Sequence, residues 1–270
     1  MAKANCYDMR EFLEYLDKKG DLHRIADEVD PDWEINGITR IGLQEHGPAM
    51  QFDRIKGCNY PMVANLLGTD RRFLAALGME KWSTFNDEWC RRTAQPVKPR
   101  IVTSAPCQEV VLEGSDIDLD LICNTKWHQY DGGRFPGTLS VSITKDPDTG
   151  ILNAGIYRMG TLGKNKLGWG APEYTHGRQH YIKYERRGEP MPMAVVTGYD
   201  PTVFIVASTR TPPGVDEFEI AGGLRGEPLD MVKCQTIDML VPATCEFVFE
   251  GFVRPGHREI EGGFGEYTGY

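Results

Sequence analysis

The chain has 270 residues, of which 40% are hydrophobic and 26% charged, so it can bury a core and is not expected to be disordered. Its net charge of −9 at pH 7 argues against nucleic acid or an anionic membrane surface as the main partner. No apolar run approaches the roughly 20 residues of a membrane-spanning helix, and seven scattered cysteines without a CxxC spacing indicate the reduced thiols of a cytoplasmic protein.

The first part of the chain alternates helical and strand patterns. In YDMREFLEYLDKKG, Asp8 is a helix cap, an apolar face follows, and Gly20 ends the helix. After it we predict a strand at LHRIADEV, a helix around EINGITRIGLQEHG, strands at AMQFDRI and PMVANLLG, and a helix at TDRRFLAALGM. Residues 1–105 are therefore predicted to form a small α/β unit, with the proline-bearing stretch 93–106 as the connector that leaves it.

The second part of the chain, 106–270, is richer in β-forming patterns. QEVVLEG and TLSVSITK cluster β-formers, DPDTG at 146–150 is a turn, and ILNAGIYRM is the returning strand of a hairpin. A helix is predicted around THGRQHYIKYERRG, and further strands at MAVVTG and CEFVFEGFV. We predict a mainly β, barrel-like domain with inserted helices, so that the whole chain is of the α+β class.

The returning hairpin strand carries the first candidate site residue. Strand alternation places Asn153 and Tyr157 on one face and Ala154, Ile156 and Arg158 on the other. An arginine on a half-buried face could clamp a carboxylate by two hydrogen bonds. It could equally be an edge-strand arginine whose head reaches water, and this stretch alone favours that second interpretation.

Four further polar residues could form a metal site. His176 and His180 are four residues apart on a predicted helix and therefore share a face, although a surface pair of this kind usually has no function. Glu217 lies near a helix N-terminus, where a carboxylate is favoured in any case. Together with Asn153, a histidine and this glutamate would suit manganese or magnesium better than zinc, but the spacing alone does not bring them together.

The last residues, EGGFGEYTGY, combine two carboxylates with glycines and aromatic residues. Glu261 and Glu266 could sit on a solvated loop that the glycines merely turn. Phe264, Tyr267 and Tyr270 are unusual in a disordered acidic tail, so the stretch could instead belong to an active site. The stretch DGGRFPG at 131–137 also allows two interpretations: it could be a loop near a ligand phosphate or a simple turn.

The order of several stretches resembles the UbiD family of reversible (de)carboxylases. They are DPDTGILNAGIYRM, KNKLGWG, YIKYERRGEPMPMAVVTGYDP, GLRGEPLDMVKCQTIDMLVPATCEFVFEG and EGGFGEYTGY. The resemblance implies a split β-barrel, flavin-reductase-like, in 106–270. It also implies prenylated FMN as cofactor, together with a divalent metal (usually manganese, with Mg²⁺ as the alternative) and often potassium (K⁺).

The family motifs imply specific roles for residues of this chain. The N-x-G-x-Y-R motif makes Asn153 a metal ligand and Arg158 the residue that faces the substrate carboxylate. A spacing of 23 residues selects His176 as the second ligand, with His180 one helical turn away as the alternative, and the P-x-G-V-x turn makes Glu217 the third. The resemblance implies a set of cofactor-binding residues: Asn153, Ala154, Gly155, Ile156, Tyr157, Arg158, Thr175, His176 and Glu217.

The family motif E-G-P-F-G-E matches EGGFGE. It makes Glu261 the partner of Arg158 and Glu266 the proton donor, while Gly263 replaces the usual proline. The resemblance thus implies decarboxylation or carboxylation of an aromatic, phenolic-type acid or of an α,β-unsaturated acid. Family members continue into a long C-terminal domain that is absent from this sequence. We therefore expect a homo-oligomer or a complex with a second subunit, and the alternative is a non-catalytic or incomplete subunit that needs a partner chain.

Overall fold

The computed structural model describes residues 6–122, 124–136 and 140–266. Tyr267 and Tyr270, the end of DGGRFPG and the start of TLSVSITK lie outside the described residues. The first part of the chain contains, in order, α1 (Met9–Lys18), β1 (Leu22–Val29), α2 (Glu34–Gln44), β2 (Ala49–Ile55), β3 (Met62–Ala64), α3 (Asp70–Ala76), α4 (Phe85–Thr93) and β4 (Arg100–Val102).

The elements predicted before residue 80 are confirmed. The Asp8 side chain accepts a hydrogen bond from the Glu11 amide at the start of α1, and Phe12 and Leu16 are buried on its inner face. Strands β1 and β2 pair in parallel and β2 pairs with β3 antiparallel, which gives a sheet of order β1–β2–β3. The first unit is therefore a small sheet whose connecting helices cover its apolar residues.

The second part of the chain contains β5 (Val141–Lys145), β6 (Leu152–Ile156), β7 (Met159–Gly163), β8 (Lys166–Trp169), α5 (His176–Arg187), β9 (Met191–Thr197), α6 (Pro201–Ala207), α7 (Glu217–Arg225), β10 (Asp230–Lys233), β11 (Leu240–Pro242) and β12 (Phe247–Val253). Its main sheet is four-stranded and antiparallel, of order β12–β9–β5–β6. Strands β7 and β8 form a separate hairpin, and β11–β10–β4 form another small sheet.

The α+β class is confirmed, whereas the barrel is not. Over the described ranges the strands form small separate sheets and no closed barrel, so the split barrel stays a prediction. The main core lies between the four-stranded sheet and helices α6 and α7, where Ile143, Val196, Val203 and Phe218 are fully buried. No helix within the described residues is long and apolar enough to cross a membrane.

One expectation about the middle of the chain is wrong, and the connector has more structure than the sequence indicated. QEVVLEG forms no strand: Val110 and Val111 are exposed, and the stretch has no partner strand among the described residues, so its β-formers have nothing to pair with. The connector 93–106 contains β4, which pairs in parallel with β10. The preceding turn packs on α7 at Gly223, where a Cβ would lie 2.7 Å from the carbonyl oxygens of Arg92 and Gln95.

A buried ion pair connects α3 to the sheet of the first unit. Arg72 is 0% exposed, and its guanidinium donates to Asp21 Oδ1 at 2.8 Å and to the carbonyls of Leu66, Gly47 and Asn65. Burial disfavours the charge of Asp21, but the hydrogen bond from Arg71 and the charge of Arg72 outweigh it, so the pKa of Asp21 is lowered. Arg72 is therefore the residue that joins this carboxylate to the three carbonyls.

We expect Arg72→Ala to lower the free energy of unfolding by about 3–5 kcal/mol. It removes the fully buried partner of Asp21, which then keeps only Arg71, and it leaves three carbonyls without this donor. The neighbouring variant Arg71→Ala is the matched control. It removes a partner of the same carboxylate whose own side chain is 63% exposed, so we expect a loss of about 1 kcal/mol or less. Urea denaturation of both variants measures the difference, and equal losses would contradict the assignment of Arg72 as the essential partner.

Candidate active site

The site begins at the free edge of β6. Among the described strands, this strand pairs only with β5, and there Asn153 lies opposite Thr144. On the other side the Ala154 amide donates to Glu217 Oε2 at 2.9 Å, and the Thr211 hydroxyl donates to Glu217 Oε1 at 2.5 Å. Glu217 is the first residue of α7 and is 2% exposed, so burial raises the pKa of its carboxyl. The carboxylate thus joins the sheet edge to the start of a helix.

A cavity of about 160 Å³ opens beside this edge, between β6 and α5. Its lining includes Asn153, His176, Gln179 and His180. Asp146 of the hairpin turn and Lys183 of α5 also line it. The Asn153 Nδ2 atom is buried and has no hydrogen-bond partner within the described residues. An orphaned amide in a polar cavity is expected where a further group binds.

The two histidines of α5 have different surroundings in this cavity. Thr175 caps the helix, and His176 is its first residue and is half-buried. His180 is buried, with its Nδ1 atom 3.0 Å from Thr144 Oγ1 and its Nε2 atom 3.9 Å from Asp146 Oδ2. Burial lowers the pKa of His180 to about 4. His180 is therefore held by the protein, whereas His176 lies at the cavity without such a partner among the described residues.

The residue types at this cavity fit a divalent cation. Asn153 and His176 line it together, and Glu217 binds the backbone of the residue next to Asn153. No cluster of three or more His, Cys, Asp or Glu side chains in residues 6–122, 124–136 and 140–266 could hold a metal by itself. A set of one amide, one imidazole and one carboxylate is of a different type, and its assignment as metal ligands stays a prediction.

The expected continuous strand through Arg158 is interrupted. Strand β6 ends at Ile156 and β7 begins at Met159 in another sheet, so strict alternation does not apply to Tyr157 and Arg158. The Tyr157 ring is buried over Gly155, where a Cβ would lie 2.7 Å from the ring. The Arg158 side chain is 40% exposed. The residue therefore belongs to a break between two strands and not to a face of either one.

The guanidinium of Arg158 meets the terminal loop. Arg158 Nη2 lies 3.4 Å from Glu261 Oε2, and Arg158 Cζ lies 5.3 Å from the centre of the Phe264 ring. Glu261 itself is 18% exposed and fits against Gly160 and Gly170, where a Cβ would lie 3.5 and 3.4 Å from its side chain. Arg158 Nε and Glu261 Oε1 are buried without a hydrogen-bond partner in the described part of the chain.

The remaining predicted residue, Glu266, lies at the end of the same loop. Its side chain is exposed and makes no hydrogen bond or ion pair to other described residues. The structure thus brings Arg158 and Glu261 together, whereas Glu266 follows Glu261 by five positions and contacts neither through a hydrogen bond or ion pair. Its role as proton donor therefore stays a prediction. The sequence analysis did not identify Thr144 and Lys183 as residues of this site, where Thr144 contacts His180 and Lys183 lines the cavity. The hairpin register alone places Thr144 opposite Asn153.

Two profiles of one protein family match the chain. The UbiD N-terminal profile, described as "3-octaprenyl-4-hydroxybenzoate carboxy-lyase N-terminal domain", matches residues 13–88. The profile of the "3-octaprenyl-4-hydroxybenzoate carboxy-lyase Rift-related domain" matches residues 100–270. An uncharacterized protein of Archaeoglobus fulgidus is 36% identical over 97% of this chain. The chain spans 58% of the length of that relative.

Solved structures of UbiD-class enzymes are also similar to this chain. An evolved dimeric form of the UbiD-class enzyme HmfF from Pelotomaculum thermopropionicum, in complex with prFMN, superposes with a TM-score of 0.93 at 35% identity. The match covers 98% of this chain and 61% of that one. The closed form of vanillic acid decarboxylase from Sedimentibacter hydroxybenzoicus superposes with a TM-score of 0.93 at 33% identity, over 97% of this chain and 58% of that one.

The buried His180 predicts a pH dependence of stability. Its pKa in the folded state, about 4, is below the ordinary value of 6.5, so neutral His180 contributes stability above pH 6.5. That contribution is lost as the pH falls from 6.5 to 4 and is on the order of 3 kcal/mol. Denaturation of metal-free protein at a series of pH values should show a shallower decline in His180→Gln than in wild type. An unchanged pH slope in the variant would contradict the prediction.

Proposed function

The chain belongs to the UbiD family of carboxy-lyases, and from this premise we propose that it catalyses a reversible, non-oxidative decarboxylation. The proposed substrate is an aromatic acid of the phenolic type. An α,β-unsaturated acid is the alternative substrate class. Prenylated FMN is the proposed cofactor, because the HmfF relative binds prFMN. The phenolic class is supported by the relative that is a vanillic acid decarboxylase.

The observation that carries this proposal is the environment of Arg158. One side of its guanidinium pairs with Glu261, while Nε is buried without a partner among the described residues. A buried donor without a partner costs on the order of 1–3 kcal/mol. A substrate carboxylate would satisfy this donor and would use the planar geometry that lysine lacks. Glu261 balances the cation and fixes its direction when no substrate is bound.

Each residue has a separate task in the proposed reaction. Arg158 holds the carboxylate of the substrate, and the bond between this carboxylate and the ring carbon breaks, so that CO₂ leaves and the electron pair stays with the substrate carbon. When bound, prenylated FMN supplies the electron sink that no side chain offers. The Glu266 carboxyl then gives a proton to the carbon that carried CO₂, and water reprotonates the glutamate. In the carboxylation direction Glu266 takes that proton.

The cavity at β6 would hold the polar end of the cofactor. Asn153, His176 and Glu217 would bind Mn²⁺ or Mg²⁺, and the cation would neutralise the cofactor phosphate in an acidic protein. A potassium ion is a further proposed cofactor. Ala154, Gly155, Ile156, Tyr157 and Thr175 are the proposed cofactor-binding neighbours, of which Thr175 positions His176 by capping α5.

The division of the chain and its assembly are also proposals. We propose two units, 1–105 and 106–270, whose border is bridged by β4 because this strand pairs with β10. The four-stranded sheet would belong to the split barrel. An oligomer, either of this chain or with a second subunit, is supported by the dimeric form of the HmfF relative. A cytoplasmic location remains the expectation from the cysteine pattern.

Glu266→Gln separates proton donation from binding. We expect the variant, produced in full-length protein together with a flavin prenyltransferase, to keep the visible flavin spectrum and the manganese content. Release of CO₂ from phenolic acids should fall on the order of 10²–10⁴-fold, since the amide cannot supply the proton. Glu259→Gln is the matched control in the same loop, because Glu259 pairs with Lys166 and His257 instead of Arg158. Equal activity in the two variants would contradict the role of Glu266.

Arg158→Lys tests the binding of the carboxylate. Lysine keeps the charge but loses the planar, two-pronged donor set, so we expect weaker substrate binding, on the order of tenfold or more in KM. The measurement is the dependence of CO₂ release on the concentration of a phenolic acid, with binding of the decarboxylated phenol as a control that should not change. A variant with unaltered KM would contradict the proposed contact.

A further inference from the structure

The terminal loop is fastened by a residue outside the proposed chemistry. Asp131 is 5% exposed, its Oδ1 atom accepts a hydrogen bond from the Gly265 amide at 2.7 Å, and its Oδ2 atom accepts one from the His128 amide at 2.8 Å. Hydrogen bonds to a charged acceptor are stronger than those between neutral groups. One carboxylate therefore shapes the loop around residue 130 and holds the amide directly before Glu266.

The neighbouring glycine lets two backbones touch. The Gly132 amide donates to the Gly263 carbonyl at 2.8 Å. A Cβ at position 132 would lie 2.7 Å from Gly262 Cα and 2.8 Å from the Glu261 carbonyl oxygen, which are backbone atoms with no freedom to move aside. At Gly133, by contrast, the nearest atom to such a Cβ is 3.9 Å away. The close approach thus requires glycine at 132 but not at 133.

The ring of Phe264 fills the space between these contacts and Arg158. Its centre lies 4.8 Å from that of Phe135 and 6.1 Å from that of His128, in edge-to-face geometry on both sides. The third neighbour of the Phe264 ring is the Arg158 guanidinium. The loop 261–265 is therefore hydrogen-bonded at Gly263 and Gly265 and packed at Phe264. All these contacts except the one with Arg158 come from residues 128–135.

We propose that Asp131 and Gly132 are positioning residues, which hold loop 261–265 against Arg158 and thereby set the place of Glu266. The inference rests on the proposed function for its catalytic consequence, but the docking itself does not. Neither residue touches the reacting atoms in this account. Their effect passes through the backbone of the loop, where a displacement of about 1 Å can cost on the order of a hundredfold in rate.

Hydrogen exchange in full-length protein without cofactor tests the docking. In Gly132→Ala the new methyl group cannot fit, so the amides of peptide 261–266 should exchange on the order of tenfold faster than in wild type. Gly133→Ala changes the same amino acid one position later, and exchange there should stay as in wild type. Asp131→Asn, which keeps the shape of the side chain but loses its charge, should loosen the loop to a smaller extent. Wild-type protection of the loop in both Gly132→Ala and Asp131→Asn would overturn the proposal.

Kinetics of the cofactor-loaded enzyme tests the consequence. We expect Gly132→Ala to lower kcat on the order of tenfold to a hundredfold with little change in KM, and to raise the solvent isotope effect because proton delivery becomes slower. If Gly132→Ala loosened the loop but kept the kcat of Gly133→Ala, the positioning role would be overturned. If wild-type enzyme released no CO₂ from any acid, the proposed function would fail, while the exchange experiment would still decide the docking.

Discussion

The site depends on one hydrogen bond at the edge of a sheet, from the Ala154 amide to the buried carboxylate of Glu217. An edge strand exposes backbone donors that must find partners. Here the partner comes from the first residue of α7, so the helix start, the strand edge and the side chain of Asn153 are fixed relative to one another. A carboxylate that is 2% exposed is costly to bury. Its two protein donors offset part of that cost, and a bound cation would offset more.

Local signals in the sequence predicted most helices and strands, but not how they assemble. The Asp8 cap and the Gly20 stop gave α1 correctly, since each acts within one turn of the chain, and the helix predicted around THGRQHYIKYERRG is α5. The predicted strand at QEVVLEG failed because a strand needs a partner, and pairing is decided by distant residues. Strand β4 was missed for the converse reason: three residues in a proline-bearing connector become a strand only because β10 lies beside them.

The candidate site shows the same division between local and distant information. The resemblance of motifs selected Arg158 and Glu261, and the structure places them 3.4 Å apart although 103 positions separate their numbers. Alternation along ILNAGIYRM gave a wrong picture of how Arg158 is presented, because the strand breaks before it. The family spacing selects His176 over His180, and this choice stays a prediction, since both residues line one cavity. What the sequence did not reveal is that His180 is buried and lies 3.0 Å from the Thr144 hydroxyl.

The glycine-rich composition of the terminal loop has a physical explanation in how it docks. Gly262 adopts a φ of +88° and lies against Gly132, so both positions need a residue without a side chain. Gly263 is different, because a Cβ there would meet only the Tyr130 carbonyl oxygen at 3.6 Å, an ordinary contact distance. Glycine at 263 makes the free loop more flexible and its ordering more costly. The hydrogen bonds from Asp131 and Gly132 offset that cost.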